Sequence, residues 1–182
     1  TPRSSSAASD VYKRQMSQYA GIMRYDKSNG EKIGIQPQPE EGEAALRWNW
    51  DAPLVISPHN SDRLSFAANF LFQSDDNGDS WKKISPDLTR NEDRNKMEVM
   101  GKVWSVDAIF KNVFTSPLGT IVALDESKLQ QGLLVVGTDD GLVRISRDNG
   151  NMWETHQNFP GVPQKAYVTD VITSKHDVNT IY

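Results

Sequence analysis

The sequence predicts an all-β protein, a fragment of a β-propeller with two whole four-stranded blades and two partial blades. Long helical periodicity is absent. Short runs rich in Val, Ile, Leu and Phe alternate instead with Gly, Asn, Asp, Ser and Pro, which is typical of many short strands. An eight-residue motif occurs twice, and a longer strand–turn–strand segment recurs around it. Repetition of this kind indicates a modular fold.

The wider repeat defines the unit of the fold. The segment Val55–Phe66 aligns without gaps on Val171–Tyr182, and each consists of a strand, a polar turn and a strand. The segment Ile121–Val135 fits the same plan with a longer turn. In the two whole units a third strand, the eight-residue motif and a fourth strand follow. Four strands per unit is the plan of a propeller blade.

The units follow one another along most of the chain. We expect a blade end at 19–35, a linker at 36–50 and a blade at 51–85. An inserted loop at 86–117, a second blade at 118–157 and the start of another blade at 165–182 follow. We call residues 86–117 the insertion. Strands are expected near 21–26, 31–35, 53–57, 63–68, 70–74, 81–84, 119–124, 132–137, 141–146, 152–155, 167–173 and 178–182.

The N-terminal segment differs from the rest. Residues 1–15 are rich in Ser and Ala, have no strand or helix period and lack the apolar centre of a signal peptide. We expect an artefactual or disordered tail, so the partial propeller occupies 16–182. On this interpretation the native N-terminus and any targeting signal lie outside the sequence.

The eight-residue motif, here called the octet, is SDDNGDSW at 74–81 and SRDNGNMW at 146–153. Its Gly can take positive φ, its Asp and Ser can accept backbone N–H groups, and its Trp can pack between blades. Because a catalytic group is normally needed once, repetition favours a structural role. We expect that role for Ser74, Asp76, Gly78, Ser80, Trp81, Ser146, Asp148, Gly150 and Trp153.

A calcium loop is a poor interpretation of the octet. An EF-hand loop needs Gly at its sixth position and Glu at its twelfth. Counted from Asp75, these positions hold Ser80 and Pro86. The three histidines show no metal-ligand spacing either, so no metal site and no cofactor are predicted.

The octets resemble the Asp-box, or BNR, pattern S-x-D-x-G-x-[ST]-W, with Met152 in place of the usual Ser or Thr. The strings LVISPHNSDRL, FQSDDNGDSWKKISPDLTRN, GTIVALDES and VVGTDDGLVRISRDNG are similar to bacterial proteins labelled sortilin N-terminal-like or BNR-repeat glycosyl hydrolase. The resemblance covers about residues 20–182. It implies a propeller that is periplasmic or extracellular, and it implies either ligand binding or polysaccharide hydrolysis.

Composition excludes other classes. The net charge is −4 and no basic stripe is present, so nucleic acid is not an expected partner. Cysteine is absent, which excludes disulfides and thiolate chemistry. No apolar run approaches the roughly 20 residues of a membrane helix. The expected partners are a protein or glycan ligand and the rest of the propeller.

The sequence does not single out a catalytic pair. Glycosidases usually need two carboxyl groups at a defined separation. The candidates are Asp87, Asp107, Asp125, Glu126, Asp139 and Asp140. Asp139 and Asp140 precede Gly141 and predict a hairpin turn, and Asp125 with Glu126 predicts a solvated turn. The arginines are scattered, so sialidase activity is not supported.

Binding is the other class of function. Propeller loops form a face around a central channel, and loops commonly carry function. The possible ligand-face residues are Trp48, Arg90, Trp104, Asp139 and Asp140. In the insertion, Phe110 and Phe114 accompany Trp104 near Arg94 and Lys96 and could form a rim for a peptide or glycan. Trp48 and Trp50 could stack on sugar rings or lie in the core between blades. We therefore carry two hypotheses, a binding scaffold and a secreted glycoside hydrolase.

Overall fold

The computed structural model describes residues 12–109, 111 and 117–182, which are almost entirely β or irregular. The first sheet contains β1 (Tyr12–Ser17), β2 (Gly21–Asp26) and β3 (Lys32–Gly34). The second contains β4 (Leu54–Ile56), β5 (Leu64–Ala67), β6 (Leu71–Ser74) and β7 (Lys82–Lys83). A small hairpin in the insertion contains β8 (Glu98–Val99) and β9 (Lys102–Val103). The third sheet contains β10 (Ile121–Glu126), β11 (Leu134–Thr138), β12 (Val143–Ser146) and β13 (Glu154–His156).

In every sheet the strands are antiparallel and stand in chain order. Two sheets have four strands, as expected for whole blades. Short 3-10 turns at Gln18–Ala20 and Arg94–Lys96 are the helical elements of the described part of the chain. The predicted fold class, an all-β fragment of a propeller, is confirmed.

Three details differ from the sequence-based expectation. Strand β1 begins at Tyr12, inside the segment that we set aside as a tail, because its backbone pairs with β2 from Tyr12 opposite Asp26 to Ser17 opposite Gly21. The expected strand pair in 165–182 is short. Thr173 and Ile181 form an antiparallel bridge, and backbone hydrogen bonds join Ile172 to Tyr182 and Ser174 to Thr180 on either side of it.

The third difference concerns the acidic pair Asp125 and Glu126, which lie in β10 and not in a turn. Asp125 is tolerated there because its carboxylate accepts hydrogen bonds from the N–H and hydroxyl of Thr173, at 2.7 and 2.6 Å. Glu126 is buried. The turn begins one residue later, where the Ser127 hydroxyl accepts the N–H of Leu129.

The hydrophobic core is divided into layers between successive sheets. The first layer includes Ile22, Ile35, Ala52, Leu64 and Phe66. The second includes Ala67, Leu71, Leu88, Ile121, Leu124, Leu134 and Val136. The third includes Ala123, Leu133, Val135, Ile145 and Val171. Side chains alternate along a strand, so Leu64 and Phe66 of β5 face the first sheet while Ala67 faces the third. The second and third sheets are therefore buried on both faces, as in stacked blades.

Each octet forms a turn closed by its own side chains. In the first octet the Ser74 hydroxyl donates to Asp76 at 2.7 Å and accepts the N–H of Gly78 at 2.8 Å. The other Asp76 oxygen accepts the Ser80 hydroxyl at 2.6 Å, and the Ser80 N–H donates to the first oxygen at 2.9 Å. Asn77 and Gly78 have φ of 60° and 94°, which the tight reversal requires.

The second octet repeats this geometry with one bond fewer. The Ser146 hydroxyl donates to Asp148 at 2.9 Å and accepts the N–H of Gly150 at 2.8 Å. The N–H of Met152 donates to Asp148 at 2.9 Å. The thioether of Met152 cannot supply the hydroxyl bond that Ser80 makes in the first octet.

Each octet packs against the last strand region of the preceding sheet. A Cβ placed on Gly78 would lie 2.5 Å from the Ile35 side chain, and one on Gly150 would lie 2.4 Å from the Ile84 carbonyl oxygen. The Trp81 indole N–H donates to the carbonyl of Ile35 at 2.7 Å, so it bonds across the gap between sheets. Trp153 differs, because its indole N–H donates to Gly150 of its own turn at 3.0 Å.

Candidate functional site

Antiparallel order sorts the connections onto two ends of the sheets. The octets and the turns after the first strands lie at one end, which we call the octet face. The other end, which we call the loop face, carries the connections between sheets and those between second and third strands. Its described segments are 18–20, 36–53, 68–70, 84–109, 117–120, 139–142 and 157–170. Every possible ligand-face residue named from the sequence lies in these segments.

Asp139 ties a hairpin turn to the beginning of the third sheet. One of its carboxylate oxygens accepts the N–H groups of Gly119 and Thr120 at 3.0 and 2.8 Å, and the other accepts the Thr120 hydroxyl at 2.8 Å. Burial raises the pKa of Asp139 and the nearby Asp140 adds to the rise, while the bonds from Thr120 and Gly119 oppose it. Both oxygens are occupied, so the carboxylate has a fixed structural contact.

Asp140 and Arg90 hold the insertion against the same hairpin. Asp140 is buried; it accepts the Thr138 hydroxyl at 2.5 Å on one oxygen and the Arg90 N–H at 2.7 Å on the other. The guanidinium of Arg90 donates to the Asp140 carbonyl at 2.8 Å and reaches Gln157 at 3.1 Å. Arg90 and Asp140 therefore position the first residues of the insertion.

A second polar cluster anchors the insertion on its other side. Arg47 donates to Asp87 at 2.7 Å and to the carbonyl of Gly119 at 2.9 Å. Asp87 also accepts Asn69 at 2.9 Å and the Thr89 hydroxyl at 2.7 Å. Burial by itself would raise the pKa of Asp87, but the bonds from Thr89, Asn69 and Arg47 outweigh it and the pKa is lowered. Three connections of the loop face, 36–53, 68–70 and 84–120, meet in this cluster.

The tryptophans on either side of Asn49, Trp48 and Trp50, have different environments. Trp48 packs on Phe66 and Phe72, with ring centroids 4.8 and 6.2 Å apart, so it contributes to the core and not to an open ligand surface. Trp50 is 44% exposed and meets the edge of Tyr19 at 5.1 Å.

Trp50 belongs to a group of exposed side chains on the loop face. Tyr19 lies beside it with a φ of 55°, a conformation that costs free energy for a non-glycine residue. Asp51 is exposed and follows Trp50 directly. Tyr167 is half exposed; partial burial raises its pKa, and the carboxylates of Asp139 and Asp51 raise it further. We call Tyr19, Trp50, Asp51 and Tyr167 the aromatic–acid group.

The insertion presents an apolar cleft of about 460 Å³. It is lined by Arg94, Met97, Val99, Trp104, Ala108, Ile109 and Lys111. Trp104 is 43% exposed, its indole N–H donates to Val99 at 3.0 Å, and Lys102 lies 4.9 Å from the ring centroid. Met100 and Ile109 are 96% and 87% exposed. Phe110 and Phe114, which we expected beside Trp104, lie outside the described residues.

Three acidic residues of this face are held by contacts within the fold. Asp139 and Asp140 are committed to hydrogen bonds within the fold, and Asp87 to an ion pair. Among the described residues, no group of three or more His, Asp or Glu is placed to hold a metal ion. Within the same ranges, no helix is long and apolar enough to cross a membrane.

Sequence reasoning missed most of the aromatic–acid group. Tyr167 and Asp51 are 116 positions apart, and nothing local links them. The alignment of the repeats carried a usable signal, because Asp51 and Tyr167 both shortly precede the first strand of a unit. Trp50 was noticed beside Trp48, but the sequence left open which ring is exposed.

Comparison with known proteins supports the fold. No protein-family model and no curated protein matches the chain. A GH74 enzyme from Niastella koreensis is similar in structure over 96% of this chain and 25% of its own, with a TM-score of 0.56 and 14% identity. The extracellular domain of a one-component system from B. thetaiotaomicron matches 90% of this chain and 18% of its own, with a TM-score of 0.51 and 15% identity.

Both neighbours are of the β-propeller type, and at these identities the likeness shows the fold alone. The chain spans a quarter or less of each. The structure is thus an arc of propeller blades, and the activity of the whole ring is a matter for proposal.

Proposed function

We propose that the chain is part of a sortilin-like Asp-box propeller that serves as a scaffold and binds a protein or glycan ligand on the loop face. The single observation that carries this proposal is the apolar surface of the insertion. Soluble proteins rarely leave large apolar side chains exposed together unless the surface has a partner. In this segment Val99, Met100, Val103, Trp104, Val106 and Ile109 are all exposed.

The way in which the insertion is mounted supports a binding role. Its first residues are fixed by Arg47 through Asp87 and by Asp140 through Arg90. A loop that is anchored at its base and apolar at its tip can present a preformed surface, which lowers the entropic cost of binding. Trp104 adds a large exposed ring, and aromatic anchors often dominate binding energy.

The aromatic–acid group supports a glycan as the ligand. The exposed ring of Trp50 offers a flat apolar face, and Asp51 beside it offers hydrogen-bond acceptors for hydroxyl groups. Tyr167 adds a hydroxyl that can donate and accept. Ligand sites of this kind combine apolar surface with a few placed polar groups.

The second candidate function is polysaccharide hydrolysis in a BNR-repeat glycoside hydrolase. The likeness to a GH74 enzyme favours it, as does the raised pKa of Asp139, since a glycosidase acid needs a raised pKa. The occupied oxygens of Asp139 weigh against it. A periplasmic or extracellular location suits both functions, and the similarity to an extracellular domain supports that location.

The proposal is tested with the chain on an array of plant and microbial polysaccharides and against a displayed peptide library. We expect binding that Trp104→Ala or Trp50→Ala weakens at least tenfold. Met152→Ala, an exposed apolar change on the octet face, is the matched control and should bind as the parent does. Equal binding by all variants would contradict the proposal. Release of oligosaccharides that Asp139→Asn abolishes would establish the hydrolase instead.

A further inference from the structure

Two buried polar atoms lack a hydrogen-bond partner in the described part of the chain. They are Oγ of Ser65 and Oε2 of Glu126. The two residues are 1% and 2% exposed, so bulk water does not reach them. Leaving such atoms unpaired costs free energy, about 1–3 kcal/mol for each group and more for a charged one. Buried polar atoms in native proteins are paired with few exceptions, so each of these two atoms is expected to have a hydrogen-bond partner.

Both side chains point into the same gap, between the second and third sheets. On β5, Leu64 and Phe66 face the first sheet, so Ser65 faces the third. On β10, Leu124 packs in the layer between the second and third sheets, and Glu126, two residues later, points to the same side. Since neither atom has a hydrogen bond, they do not bond to each other across this gap.

The rest of this gap is polar at its octet-face end. Oε1 of Glu126 accepts the N–H of Gly132 at 3.3 Å. The carbonyl of Gly132 accepts the N–H of Asn149 at 3.0 Å. Asn149 exchanges two amide hydrogen bonds with Gln73, at 3.3 and 3.2 Å, and Gln73 pairs across the strands with Ser65. A series of polar groups thus runs from Glu126 to Ser65, and Oε2 of Glu126 and Oγ of Ser65 are the atoms in it without a hydrogen bond.

The interface between the third sheet and Thr173 has a hydrogen-bonded pair that the interface between the second and third sheets lacks. The serine after the first strand marks equivalent positions, because in each unit its hydroxyl accepts the N–H two residues later; these serines are Ser57, Ser127 and Ser174. This register differs by one residue from the gapless sequence alignment, which places Ser57 on Thr173. The residue before Ser174 is Thr173, and it donates twice to Asp125 of the third sheet. At the interface between the second and third sheets, Glu126 takes the place of Thr173 and Val55 takes the place of Asp125. Val55 offers no hydrogen bond, so the Glu126 carboxylate has no equivalent partner.

We propose that one buried water molecule lies between the second and third sheets, where it donates to Oε2 of Glu126 and hydrogen-bonds to Oγ of Ser65. A water molecule can donate twice and accept twice, so it can satisfy an acceptor and a hydroxyl together. Bridging water is enthalpically almost as good as a direct bond. This site joins two blades and is separate from the loop face, so it does not depend on the proposed function.

A high-resolution crystal structure of the chain tests the site. We expect one spherical density peak within about 3 Å of both oxygens. A direct Ser65–Glu126 hydrogen bond, an empty gap, or a cation with several oxygen ligands at about 2.4 Å would each overturn the proposal.

Variants provide a second test. Glu126→Leu removes the acceptor, so the peak should disappear, whereas Glu126→Gln keeps an acceptor and should retain it. If the leucine variant does not fold, Ser65→Ala serves the same purpose and should weaken the peak at least twofold. The matched control is Glu154→Gln, an exposed change in β13, which should leave the peak as it is. A peak that survives both Glu126→Leu and Ser65→Ala would contradict the assignment.

Discussion

Asp76 is the residue on which the first octet turn depends. Its carboxylate accepts two bonds from Ser80 and one from Ser74. These bonds, the Ser80 hydroxyl first, lower the pKa of Asp76 to about 2 from an ordinary value of 3.8, although burial opposes the change. The side chain is largely exposed, so solvent screening limits what the bonds contribute to stability.

The lowered pKa predicts a dependence of stability on pH. Between about pH 4 and pH 2 the unfolded chain binds the proton at Asp76 and the folded chain does not. The contribution of Asp76 is therefore present at neutral pH and is lost as the pH falls through this window. An NMR titration of the Asp76 carboxyl carbon should give a pKa near 2. In the Asp76→Asn variant, the midpoint of urea unfolding should change less with pH between about pH 4 and pH 2. A pKa at the ordinary value would contradict the turn geometry.

Met152 marks a weakness in the second octet. Ser80 donates its hydroxyl to Asp76 at 2.6 Å, but Met152 gives Asp148 only its N–H. We expect Met152→Ser to restore the missing bond and to stabilise the chain slightly, because solvent competes for a bond at this exposed site. Urea unfolding measures the change, with Met152→Ala as control. A serine variant no more stable than the alanine variant would show that no bond forms.

At the scale of the element, glycine is required at position 150 of the second octet turn for two separate reasons. Gly150 has a φ of 92°, and a Cβ there would lie 2.4 Å from the carbonyl oxygen of Ile84. Gly30, in the turn between β2 and β3, has a φ of 79° but no atom within 4 Å of such a Cβ. The first position therefore combines backbone strain with a collision against the neighbouring sheet, and the second has backbone strain alone.

These two glycines form a matched pair for measurement. Gly30→Ala should cost about 1–2 kcal/mol, the penalty of a left-handed conformation. Gly150→Ala should cost clearly more, because the neighbouring strand must also move. Thermal or urea unfolding of the two variants gives the comparison. Equal losses would mean that the second octet does not pack closely on the second sheet.

The strands and octets could be predicted because their signals are local. Gly, Asp, Ser and Trp at fixed spacing specify the octet turn, and alternating apolar runs specify the strands. Asp125 and Glu126 were misassigned because the repeat alignment set them opposite His59 and Asn60, which lie in a turn. Their place in a strand depends on Thr173, 48 positions away, and on burial between sheets, neither of which a local pattern contains.

The candidate site was predicted only in part, for the same reason. Arg90, Asp139 and Asp140 were placed on the ligand face, and the structure puts Arg90 and Asp140 in direct contact. Tyr167 and Asp51 come together only when the sheets stack. Trp48 lies in the core because Phe66 and Phe72 cover it, and both belong to strands that follow it in the chain.

At the scale of the whole molecule, one contact is repeated from sheet to sheet. The first octet packs on Ile35 of the first sheet, and the second octet packs on Ile84 of the second. Repetition of a fixed contact between similar sheets generates an arc, and propellers close such an arc with roughly four to eight blades. The same arrangement brings the long connections together on the loop face, where the proposed ligand would bind.

A crystal structure of the chain tests the repeated contact most directly. We expect the Trp81 indole N–H to donate to the carbonyl of Ile35 and Gly150 to lie against the carbonyl of Ile84, with the three sheets stacked in chain order. A structure in which the two octets contact unrelated elements, or in which the sheets do not stack through them, would rule out this arrangement of blades.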